Sequence, residues 1–256
     1  MKAFIAFTKK EVVARIRSFK LIILTAVFVL LGIMNPAVAK ITPALLEMLA
    51  PLMEGSGLQI GTVTVSALDS WVQFFKNAPM GLIVFVVLEG NTFTKEYGSG
   101  TLVLSLTKGL SRYKVVVAKA AVMQALWTVL YFLCFGITYL GNMLFWDNSI
   151  AQELVFSVVC WWMFGVFTIM LAVLFSAIGR SIASVLLGTG GVVMAFYLVS
   201  IIPKINKFLP TMLMDGNSLI YGLLGADDYI VSFIITLAAS VIAFAVSIPI
   251  FNKKQL

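Results

Sequence analysis

The sequence predicts an all-α polytopic membrane protein: six transmembrane helices, both termini cytoplasmic, and an amphipathic helix ahead of the first span. Three observations carry this. The chain is 61% hydrophobic and 11% charged, against about 25% charged in soluble domains, and its mean hydropathy is +1.05. Uncharged stretches long enough to cross a bilayer, which takes about 20 apolar residues, recur along it. Lys and Arg crowd onto alternate connections, with fourteen of the 18 on the side that holds both termini.

The elements follow in order. In "MKAFIAFTKKEVVARIRSFK", Ile5, Val12, Ile16 and Phe19 share one helical face, with Thr8 in the gap, while Lys10, Arg15 and Arg17 point elsewhere. This predicts a helix over 1–19 lying in the membrane interface, the plain alternative being a basic flank that fixes topology. The segment lacks the short basic head and early small-residue site of a cleaved signal peptide. The first span is expected near 20–39, ended by Asn35-Pro36. Residues 40–69 then form an external segment, too short for a domain of its own, in which Leu45, Met48, Leu49 and Leu52 are spaced for a short surface helix. The second span, 70–90, is marked by only twelve uncharged residues, Asn77 to Leu88. Trp71 is expected as its interface anchor, with Lys76 snorkelling outward and Pro79 kinking it.

The remaining spans are clearer. They are expected near 117–141, 153–178, 182–202 and 228–250, with Phe145 and Trp146 anchoring the turn between the third and fourth. Residues 203–227 return along the outer surface. Lys40, Lys76, Lys204 and Lys207 are the only cations on the far side. That asymmetry places both ends in the cytoplasm, and it reads the net charge of +7 as a topology signal, not as a nucleic-acid footprint.

Most site chemistries are excluded by what the sequence lacks. There is no His, so no His-based triad, general base or metal cluster is expected. "GTGG" at Gly188 to Gly191 lacks the Lys of a phosphate loop and sits inside a span. With Ser184 it reads as a face for close helix packing: Ser184, Gly188 and Gly191 are the candidate dimer interface. Cys134 and Cys160 fall inside spans at similar depth and read as small apolar fillers. Glu89 is the one carboxylate at membrane depth on the terminal side. An acid there is a functional candidate, though at a helix end it more simply faces water or a nearby Lys.

The most polar run between the first 20 residues and the tail is "KEYGSGTLVLSLTKGLSRYKVVVAK", residues 95–119. Gly98 and Gly100 break the helix leaving the membrane, "TLVLSL" is apolar, Gly109 breaks again, and Ser111 is placed to cap the helix carrying Arg112. A passive loop needs only a few residues. The run resembles the first cytoplasmic loop of the type-2 ATP-binding-cassette (ABC) permeases. Glu96, Gly100, Thr101, Leu102, Ser111, Arg112 and Lys119 match that pattern; the usual Pro before Ser-Arg is replaced by Gly109-Leu110. The layout is similar too: an elbow helix, six spans, inside termini and a long external return before the last span.

The resemblance implies a half-transporter of the bacterial cytoplasmic membrane. This chain would carry no catalytic residue and no cofactor, ATP and Mg being held by a separate cytosolic ATPase. Its partners would be that ATPase, a second membrane subunit, identical or related, and the lipid bilayer. The helix within 95–114 would dock in the ATPase, with Glu96, Gly100, Thr101, Leu102, Leu104, Leu106, Ser111 and Arg112 as the coupling residues. The expected cargo of such small members is hydrophobic or amphipathic, here an amphipathic peptide. Two readings from other classes stand beside it: a non-transporting scaffold protein, which needs no copurifying nucleotide-binding protein, and an ion-gradient-driven carrier, which ignores ATP.

Overall fold

The computed structural model describes residues 2–54, 64–98, 100, 102, 106–107 and 110–254. Among them every regular element is helical. Helix α1 (Lys2–Ile16) is followed by α2 (Phe19–Glu54), α3 (Ala67–Glu89), the short α4 (Thr94–Gly98) and α5 (Arg112–Met143). Then come α6 (Leu154–Ile178), α7 (Ile182–Val199), the short α8 (Pro203–Asn206) and α9 (Gly216–Ile220), and α10 (Ala226–Lys253). Six of these, α2, α3, α5, α6, α7 and α10, are long and apolar enough to cross a membrane, at the positions the hydropathy predicts.

Helix α6 is the centre of the bundle. It is apolar on all sides, as a fully enclosed helix must be, and 72% of its most apolar stretch is buried, against 11% for α7. Trp127 of α5 lies directly on it. A Cβ at Gly165 would sit 2.2 Å from the Trp127 ring, so only glycine admits this approach, and the indole Nε1 donates to Trp162 O at 3.3 Å. Phe28 and Phe85 meet the same indole edge-on.

Helix α2 departs from expectation. Asn35-Pro36 does not end it; the helix runs 36 residues to Glu54, about 54 Å at 1.5 Å per residue, and takes in the stretch expected as a separate surface helix. Pro36 has no N–H for the carbonyl of Gly32. Across the helix boundary, Thr138 Oγ1 of α5 lies 3.2 Å from that carbonyl and 3.0 Å from Cys134 O. Its single hydroxyl hydrogen is shared between these two carbonyls, so the Gly32 carbonyl left without its intrahelical partner by the proline meets a donor on the neighbouring helix, as hydrocarbon surroundings favour. Asn35 Nδ2 donates to the same hydroxyl at 2.9 Å, and Asn77 Nδ2 of α3 donates to Asn35 Oδ1 at 2.8 Å. These bonds tie α2, α3 and α5 together inside the bundle.

One further expectation is corrected. Trp71 is no interface anchor: it is fully buried and its Nε1 donates to Asn148 Oδ1 at 3.1 Å. The return over 203–227 packs in part against the bundle. A 3₁₀ turn, Pro210–Met214, is buried over Pro210 to Leu213, Trp161 Nε1 donates to Met214 O at 3.0 Å, and Tyr229 OH donates to Asp215 O at 2.8 Å. Cys134 and Cys160 are free thiols in the core.

Candidate functional site

The site lies where α1 meets the end of α3, α4 and the start of α5. On α1, Phe4, Phe7, Glu11 and Arg15 recur at helical spacing and form the face turned to the protein. Phe7 is buried and Glu11 is only 3% exposed. Ile5, Val12, Ile16 and Phe19 lie exposed on a different face. The helix thus presents separate protein-facing and apolar exposed surfaces.

Each buried charge here has a partner of opposite sign. Glu11 Oε2 accepts from Arg15 Nη1 at 3.1 Å, one helical turn on, and from Lys119 Nζ of α5 at 3.0 Å. Arg15 also reaches α3: its Nε donates to Glu89 Oε2 at 2.9 Å and its Nη2 to Thr92 Oγ1 at 3.1 Å. Lys119 Nζ pairs with Glu96 Oε2 of α4 at 3.0 Å, and Lys10 pairs with Glu96 Oε1 at 3.3 Å. Lys119 is 1% exposed and lies near the faces of Phe93 and Phe7. Three carboxylates therefore balance three cations in a site largely closed to water, the condition under which buried charge is tolerated. Burial alone would raise the Glu11 carboxyl, but Lys119 and Arg15 outweigh it and hold the pKa below the ordinary 4.5. Glu89, expected to face water or a nearby Lys, is instead held by Arg15.

Just beyond, Lys20 Nζ donates to Leu88 O at 2.6 Å and to Asn91 Oδ1 at 2.5 Å. A cation on the last carbonyls of a helix satisfies them and complements the helix dipole.

The coupling residues named from the sequence divide. Glu96 lies in the charge cluster; the helix leaving the membrane, α3, ends at Glu89 with Gly90 at its C-cap, ahead of the expected break, and Gly98 ends the separate short α4. Gly100 has φ +66°, the left-handed region in which glycine has no penalty. Leu102 is 2% exposed and belongs to the chain's own core, as does Leu110; Leu106 packs partly buried on it. Leu102 is thus not free to fill a groove on a partner. Ser111 occupies the N-cap position of α5 with extended backbone, but its side chain makes no capping bond. Arg112, expected to meet a partner's acid or a lipid phosphate, donates through Nη1 to Asn252 O at 3.0 Å and Lys254 O at 2.5 Å, the carbonyls at the end of α10. Lys254 Nζ in turn donates to Ala177 O at 3.0 Å, Ser176 O at 3.3 Å and Gly179 O at the end of α6. Thr101 and Leu104 lie outside the described residues.

The small residues of α7 divide likewise. A Cβ at Gly188 would meet the Phe175 ring of α6 at 2.3 Å, whereas Gly191 has open space around it. Gly188 therefore serves packing within the chain, and Gly191 faces outward. Ser184 Oγ is turned back to Ser181 O at 2.7 Å.

The carboxylates of the cluster are engaged in ion pairs, and among the described residues no group of three His, Cys, Asp or Glu side chains is set to hold a metal. The cluster's ion pairs join α1, α4 and α5 to one another. Glu11 and Arg15 were passed over in the sequence. The available signal was their i,i+4 spacing on the same face as Phe4 and Phe7, with a carboxylate standing in an otherwise basic segment. No protein-family model matches the chain, and no curated protein matches it.

Proposed function

We propose that this chain is the membrane-spanning subunit of an ATP-driven exporter of the type-2 ABC class, inserted with both termini in the cytoplasm. It works as a dimer of membrane subunits with a separate cytosolic ATPase and moves a hydrophobic or amphipathic peptide. One observation carries the reading. Glu96 and Lys119, the two charged ends of the motif that resembles the permease loop, stand 3.0 Å apart, and both are tied to α1 through Lys10 and Glu11. A segment that only joined two spans would need no such fastening to a third element. A lever pushed by an ATPase does, since displacement of the loop must reach the spans without being lost in slack.

Leu102 and Leu106 are engaged within the chain, so the partner contact falls to residues around Leu104. A buried leucine contributes about 1.5–3 kcal/mol, enough to make one carboxylate there disruptive. The tagged chain, purified in mild detergent from its own membranes, is expected to carry vanadate-sensitive ATP hydrolysis. Leu104→Asp should remove that activity while the chain remains inserted and monodisperse. Vanadate-sensitive hydrolysis that is absent from the wild type, or unchanged in Leu104→Asp, refutes the reading.

A further inference from the structure

A groove of about 880 Å³ runs between α2 and α5 on the half of the bundle away from the termini. Its lining includes the small residues Ala37 and Gly141, and the Pro36 ring packs directly on Gly141, where a Cβ would come within 2.8 Å of it. Ile41 and Leu140 form its walls and are 52% and 64% exposed. Lys40 stands at its mouth. It lies 21 residues into α2, about 32 Å from the helix start at 1.5 Å per residue, close to the roughly 30 Å of a hydrocarbon core. With the start of α2 at the opposite boundary of the hydrocarbon core, the ammonium stands at the level of lipid phosphates. It lies over the rings of Phe145 at 5.1 Å and Trp146 at 5.9 Å, and among the described residues no carboxylate comes within ion-pair distance of it.

Lys40 also borders a second hollow of about 340 Å³, which continues outward along Pro43, Ala44 and Trp146 to Glu47. Lys40 and Glu47 are seven residues apart and so share one face of α2. From the membrane outward the wall thus reads apolar, then positive, then negative. An ethanolamine phospholipid reads acyl chain, then phosphate, then ammonium.

We propose that this composite groove binds an ethanolamine phospholipid: the acyl chain lies along Ala37 and Gly141, the phosphate pairs with Lys40, and the ammonium meets Glu47. An anionic glycerol lipid lacks the cation for Glu47. A choline headgroup has a cation without N–H donors. A second copy of the chain would need an apolar face, which leaves the Lys40–Glu47 pair of charges unanswered.

Native mass spectrometry tests this on the detergent-purified chain, equilibrated with equal parts dioleoyl phosphatidylethanolamine, phosphatidylglycerol and phosphatidylcholine. The ethanolamine lipid is expected as the dominant adduct. Lys40→Gln should lower it at least tenfold, Glu47→Gln should abolish its advantage over phosphatidylglycerol, and Ala37→Trp should remove all three adducts, whereas Ile234→Trp on the exposed face of α10 should not. Ala37→Leu repeats the groove-filling test with a smaller side chain, should the tryptophan variant fail to elute as folded protein. Retention of the ethanolamine lipid by Ala37→Trp or Ala37→Leu, preference for phosphatidylglycerol in the wild type, or a lipid-free dimer that Ala37→Leu converts to monomer would each overturn the proposal.

Discussion

Replacing Lys119 by methionine tests whether the charge cluster holds the N-terminal helix to the bundle. The side chain is 1% exposed and stands 3.0 Å from both Glu11 and Glu96. Methionine keeps most of the volume, so the loss is chiefly of charge. It leaves three carboxylates facing two cations, with Glu11 still shut away from water. Removing one partner of a buried pair costs about 3–5 kcal/mol. At about 2–4 °C per kcal/mol for a chain of this size, the melting temperature should fall by about 6–20 °C. A second change, Glu96→Gln, restores the charge balance and should recover at least half of the loss, a coupling that a double-mutant cycle measures directly.

The same variant changes the response to acid. A carboxylate whose folded pKa lies below its unfolded 4.5 contributes stability above that pH and loses it as pH falls through the folded value. Without Lys119 the folded value rises, so acid destabilisation should set in at higher pH than in the wild type. Thermal melts of the detergent-solubilised protein, taken from pH 7 to pH 4, read both effects, with the exposed Lys9→Met as control. A Lys119→Met melt within 2 °C of the control, or no recovery with Glu96→Gln, would refute the argument.

The continuity of α2 makes a second test. Thr138→Val removes the hydroxyl that reaches the carbonyl of Gly32 and accepts from Asn35 and should destabilise the chain by about 1–3 kcal/mol, the cost of an unmet buried polar group; Pro36→Ala in that background returns the backbone N–H to Gly32 and should recover part of it in the same melts. On α7, Gly188→Leu should destabilise the single chain through its collision with Phe175, whereas Gly191→Leu should leave the melt unchanged and shift a detergent-purified dimer toward monomer by size exclusion. Gly136→Leu, also in open space, is the control, and a Gly191→Leu protein that remains dimeric removes α7 from the interface.

Most spans were legible because a membrane helix is written in a single local variable, a run of about twenty apolar residues; the second was harder, since only Asn77 to Leu88 is uncharged and its helix includes Asp69 and Lys76. Features that depend on distant residues were not legible. Proline reads as a stop signal, and nothing within a turn of Asn35-Pro36 says otherwise; the hydroxyl that lets the helix continue stands at Thr138. The ion cluster draws on Lys10, Glu11, Arg15, Glu89, Glu96 and Lys119, which are scattered over more than a hundred positions, so the sequence displays Glu96 and Lys119 only through the motif they flank and Glu89 only as an isolated acid. Arg112 was legible as important but not in its contact, because a guanidinium suits a carboxylate, a phosphate and a helix end equally well. Gly188 and Gly191 look alike in sequence; only the position of Phe175 separates them.

The mutual fastening of α5, α6 and α10 bears on how the chain is assembled. Spans enter a bilayer in the order of synthesis, so α5 and α6 are in place before α10 arrives. Until then the guanidinium of Arg112 lacks the carbonyls of Asn252 and Lys254, and the carbonyls of Ser176, Ala177 and Gly179 lack the Lys254 ammonium. In the half-built protein these groups have other partners, water and lipid headgroups among them, and docking of one helix exchanges both sets together. Biogenesis acquires a finishing step: an unfinished chain differs from a finished one in which groups meet the side chains and carbonyls at one rim of the bundle, as well as in its buried apolar surface.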